Sequence, residues 1–170
     1  MTMAETAALF VAGVACLTDL RSARIPNVLT FTAIAVALVY HAAAPSGLGL
    51  QAAGLGLLVG LLVFFPYFAL GAMGAGDVKL MAALGAWLGW SAAISVALFG
   101  AVAGGVLAIV VSLRHGYLRT AFRNLKTLFL HWWLTGVQPL PELTLDQGKG
   151  LRLPYALPIM AGLLVTIWRH

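Results

Sequence analysis

The chain has 170 residues, 62% of them hydrophobic and only 9% charged, against about 45–50% and 25% in an ordinary soluble domain. Ten basic and five acidic residues cannot cover a water-soluble surface, which excludes a soluble globular enzyme, a disordered chain and a nucleic-acid-binding module. A single cysteine, Cys16, excludes a disulfide framework and a Cys-rich zinc site. What remains is an all-α, polytopic membrane protein lying in a lipid bilayer, its net charge of +5 serving to set orientation.

A hydrocarbon core of about 30 Å needs roughly 20 apolar residues as helix. The first span is expected over residues 3–18, with Glu5 at its start and Asp19 at its end. A cleavable signal peptide would need a basic n-region, which is missing. The second span covers 28–44 and is broken by Pro45-Ser46-Gly47, and the third, 50–70, carries no charge. The apolar run 78–113 is too long for one helix and divides at Gly89-Trp90-Ser91, which leaves a short fourth span and a longer fifth. The sixth covers 153–168, where Pro154 and Pro158 predict a kink. The expectation is about six transmembrane helices in one domain, 1–170.

The basic residues orient these spans. Arg21 and Arg24 follow span one, Lys79 lies between spans three and four, and the remainder except Arg169 fall between spans five and six. The three loops share one side, which the positive-inside rule makes cytoplasmic, and both termini then face outward. Within the inner loop 114–152, Leu118, Phe122, Leu125, Phe129 and Trp133 (or Trp132) recur at helical spacing, with Arg119, Arg123 and Lys126 on another face. This reads as a basic amphipathic interfacial helix, an anchor for the loop or a platform for a partner. Trp87, Trp90 and Trp168 read as an outer aromatic belt.

Chemistry has few places to reside. Glu5, Glu142 and Asp146 read as solvated, whereas Asp19 ends one apolar helix and Asp77 opens another at the same, inner edge. Ionisable groups at membrane depth are costly and usually functional or paired. Three readings of the two acids stand: an aspartic-protease pair sharing a proton, an ion or proton path, or helix-end acids facing headgroup water. Gly74 and Gly76 allow close backbone approach before Asp77. Lys79 can hold a substrate group or snorkel to the surface. Asn27 is a candidate cap for span two. His41 is assigned no function, and His115 and His131 have no metal-ligand spacing.

The segment Asp19-Leu20-Arg21-Ser22-Ala23-Arg24-Ile25-Pro26-Asn27 resembles the first aspartate motif of the type IV prepilin leader peptidases. Gly74-Ala75-Gly76-Asp77-Val78-Lys79-Leu80 resembles their second, the GxGD signature of intramembrane aspartic proteases, and Pro154-Tyr155-Ala156 resembles their closing segment. The resemblance implies a membrane aspartic endopeptidase that removes prepilin or pseudopilin leaders at the cytoplasmic face of a bacterial or archaeal inner membrane. Asp19 and Asp77 would be catalytic, with Gly74, Gly76 and Lys79 shaping the site. Within the family the chain resembles the short form of tight-adherence (Flp) pilus systems. With no CxxC pair, neither zinc nor another cofactor nor methyltransferase activity is expected.

Overall fold

The structure, a computed structural model, describes residues 1–44, 47–114, 116, 123–124, 126–127, 131, 133, 136 and 154–169. The described chain is helical throughout, with α1 Met3–Ser22, α2 Asn27–Ala43, α3 Leu50–Ala69, α4 Ala75–Leu88, α5 Trp90–Arg114 and α6 Ala156–Arg169. By length and apolar composition α1, α3 and α5 suffice to cross a membrane, while α2 and α6 are shorter apolar helices. Of the expected interfacial helix, Leu118, Phe122, Leu125, Phe129 and Trp132 lie outside the described residues, as do Glu142 and Asp146.

Local chemistry sets the helix ends. Thr2 caps α1 and exchanges hydrogen bonds with Glu5 in a reciprocal capping box, so Glu5 is a structural acid. At the other end α1 runs past Asp19 to Ser22 and stops at Ala23, whose left-handed backbone (φ 50°) returns its N–H to the Asp19 carbonyl. Gly89, at φ 82°, closes α4 and lets α5 begin at the next residue, within the division read from the sequence.

Helix α4 is the centre of the bundle, packed against α1, α2, α3 and α5. Its 14 residues are buried without interruption from Asp77 to Trp87 apart from the half-buried Lys79. Helix α3 lies on it backbone to backbone: a Cβ at Gly56 would collide with the Gly85 carbonyl, and one at Gly60 with the Met81 carbonyl. The four-residue spacing of Gly56 and Gly60 is the small-residue pattern by which membrane helices approach closely. Helices α5 and α6 form a second close pair, where Gly162 faces the backbone of Val96 and Gly100.

Several residues stand differently from their expected places. Trp90 and Trp168 are exposed as belt residues should be, but Trp87 is buried, because the central helix has no lipid face there. Its carbonyl meets His41 Nε2 at 3.0 Å, while His41 Nδ1 accepts from the Leu48 N–H at 3.0 Å. His41 therefore fastens α2 to α4 and to the α2–α3 connection. Pro154 precedes α6 and Pro158 stands in its first turn, where no intrahelical N–H is needed, so both shape the start of that helix rather than interrupt it. Asn27 is the first residue of α2 and not its cap; that position belongs to Pro26.

Candidate active site

Asp19 sits in the last turn of α1, near the negative end of the helix dipole, where a carboxylate needs compensation. It receives it from another helix. The backbone N–H of Ala156, the first residue of α6, donates to Asp19 Oδ2 at 3.3 Å. That N–H has no partner within its own helix, so Asp19 serves α6 as a cap supplied from α1. One turn earlier on the same face, Cys16 Sγ donates to the Ala156 carbonyl at 3.0 Å. Both backbone groups of this fully buried alanine are thus held by α1.

Asp77 occupies the first turn of α4, at the favourable end of its helix dipole, and is 9% exposed. Its N–H returns to the Gly74 carbonyl at 3.2 Å. A Cβ at Gly74 would stand 3.3 Å from Asp77 Oδ2, so the glycine is what lets the carboxyl group lie back over the helix start. Ala156 thus holds Asp19 by a hydrogen bond, and the preceding Tyr155 lies within electrostatic range of Asp77.

The two sequence motifs also touch directly. A Cβ at Gly76 would stand 3.1 Å from the Ile25 side chain, so the loop after Asp19 rests on the first turn of α4. Lys79 Nζ donates to Asn27 Oδ1 at 2.9 Å and lies 5.2 Å from the centre of the Phe31 ring. Two residues along a helix is more than half a turn, so Lys79 and Asp77 leave α4 on different faces. Lys79 grips α2 from the helix turn that carries Asp77.

The sequence singles out Asp19, Asp77, Gly74, Gly76 and Lys79; the fold sets Gly74, Gly76, Asp77 and Lys79 at the start of α4 against Ile25 and Asn27, and ties Asp19 to the start of α6. Sequence reasoning misses Cys16 as a partner of Ala156; the available signal is its place three residues before Asp19, on the same helical face. Tyr155 enters that reasoning only as part of a closing segment. Among the described residues no cluster of three or more His, Cys, Asp or Glu can hold a metal ion. Two carboxyl groups at helix ends, one nearly buried, can between them accept and donate a proton.

Comparison with known proteins places this arrangement. A family model for the type IV leader peptidase family matches residues 6–109, more than half of the chain. A protein of Burkholderia pseudomallei (strain 1026b) named prepilin leader peptidase/N-methyltransferase is 55% identical over 42 residues, 25% of this chain and 14% of the relative. One of the same name from Pectobacterium carotovorum subsp. carotovorum is 33% identical over 99 residues, 54% of this chain and 35% of the relative. The chain thus spans a minor part of the length of these relatives. No solved structure matches it. The matched residues contain both aspartates, all of α4 and most of α1, and the chain belongs to the type IV leader peptidase family.

Proposed function

We propose that this protein is a membrane aspartic endopeptidase that removes the leader peptide of prepilins or pseudopilins, with Asp19 and Asp77 as the catalytic pair. Family membership supports the reaction class. The observation that supports the residue assignment is the contact between the two aspartate motifs, Ile25 against Gly76 and Asn27 with Lys79, beside the Asp19–Ala156 hydrogen bond. One acid in its ionised form takes a proton from water as the water oxygen attacks the scissile carbonyl. The other, protonated, donates a hydrogen bond to the carbonyl oxygen. The carbon–nitrogen bond then breaks, and a proton passes from the pair to the departing amine. Gly74 and Gly76 hold Asp77 against the first motif, and Lys79 fastens its helix turn to Asn27.

The loops after α1, between α3 and α4, and after α5 face the cytoplasm in this reading, which puts cleavage at the inner face and both termini outside. The chain acts as a short-form peptidase without methyltransferase activity, its one cysteine leaving no CxxC pair among its 170 residues. It needs neither metal nor organic cofactor. The test is cleavage of a tagged prepilin co-expressed in membranes with wild type, Asp19→Asn or Asp77→Asn at equal protein levels. Wild type is expected to remove the leader and both variants to leave it on, with chelators without effect. Leader removal by either variant at the wild-type rate ends the assignment.

A further inference from the structure

Helices α3, α5 and α6 border an open groove of about 400 Å³. Its wall on α5 runs from Ile94 to Ala108, about 21 Å at 1.5 Å per residue. Along that length the lining is apolar, with Phe64 on α3 and Pro158 on α6 facing the α5 wall. Ala101 and Gly105 on α5 are exposed, and a Cβ at Gly105 would meet nothing within 4 Å. From Gly100 to Ala108 the wall presents only small side chains at the lining positions, so another helix backbone can come close.

One end of the groove differs chemically. Tyr67 and Tyr155 line it there, beside Met73, the residue that precedes Gly74. Tyr155 is within electrostatic range of both Tyr67 and Asp77, so this end opens beside the acid pair. A fitting occupant is apolar over several helical turns and presents a polar main-chain group at the tyrosine end. A lipid supplies an apolar chain and ester oxygens but no amide bond for the acid pair to cut. A peptide whose apolar helix begins just after the bond to be cut meets both requirements.

We infer that the groove between α3, α5 and α6 seats the apolar helix that follows the cleaved bond of the substrate; the inference rests on the peptidase reading above. The helix lies along Ala101 and Gly105, and Tyr155 and Tyr67 receive the main chain as it passes to Asp19 and Asp77. The groove thus selects for a slender apolar segment, while the acid pair selects the bond.

The test uses the full chain in membranes with a tagged prepilin. Ala101→Leu and Gly105→Leu place bulk at exposed lining positions, with nothing within 4 Å of a Cβ at Gly105, and Val102→Leu alters an exposed position outside the lining. In parallel, Ala101→Cys in an Asp77→Asn background is oxidised against single cysteines placed along the substrate helix; the native Cys16 is buried. The groove variants are expected to raise the apparent KM roughly tenfold with kcat retained, as loss of ground-state binding does. Val102→Leu should cut like wild type, and the Ala101→Cys variant should cross-link to the substrate helix. Unimpaired cleavage by both leucine variants with no cross-link overturns the inference and leaves the peptidase reading intact. If wild type itself fails to cut, both fall together.

Discussion

Asp19 and Asp77 are conspicuous in the sequence because charge is rare in it, and their helix-end positions follow from the flanking apolar runs. The partner of Asp19 is hidden there, because that acid is met by the backbone N–H of Ala156 and a backbone group carries no sequence identity. Trp87 misleads for a related reason: a tryptophan at a span end can serve a lipid belt or a core, and only the neighbouring helices decide. At this scale Gly74 gives the sharpest prediction. Its backbone, at φ −75° and ψ 147°, suits alanine without strain, so Gly74→Ala acts only through the new methyl 3.3 Å from Asp77 Oδ2. A displaced carboxyl group is expected to lower kcat by about tenfold, since misplacing a catalytic group by about 1 Å can cost 100-fold. The melting midpoint in detergent should stay at the wild-type value. Parallel activity and thermal measurements separate this outcome from misfolding.

Helix existence is legible from apolar runs punctuated by Gly, Pro and charge, and the division at Gly89 is legible because a small residue there adjoins an interfacial tryptophan. Helix packing is not. Gly56 and Gly60 look like ordinary glycines in an uncharged span until α4 is laid across them. His41 draws no attention in the sequence because it is distant from both acids, yet it joins three segments. The Leu48 N–H on Nδ1 leaves the proton on Nε2, facing the Trp87 carbonyl, so the ring serves as a neutral clamp. His41→Ala is expected to destabilise the protein by about 1–3 kcal/mol by leaving the N–H and the carbonyl unpaired. The check is a lower melting midpoint together with unchanged cleavage at a temperature where the variant remains folded. A loss of kcat in fully folded His41→Ala would show that the clamp reaches the site.

For the molecule as a whole, the six-helix order follows from hydrophobic patterning, while the central position of α4 does not. A 14-residue helix apolar on nearly every face has no polar side to betray which neighbours surround it. Orientation rests on charge placement, and its prediction is direct. Alkaline phosphatase fused after His170 should be active, and a fluorescent protein fused there through the general secretion route should stay dark. The reverse pattern would invert the chain and move the aspartates to the other face. The brevity of α4 has a consequence for depth. With Gly89 set at the outer surface, as the proposed orientation has it, Asp77 lies about 18 Å of helix rise below it, against a hydrocarbon thickness of about 30 Å. From exposed Trp168 back to Ala156 is the same distance. Asp77 and the start of α6 then stand about 12 Å beneath the opposite surface, inside the hydrocarbon. The proposed hydrolysis then requires water to descend, not the peptide to rise. In the proposed reaction a substrate surrenders its leader while its apolar helix never leaves the oil.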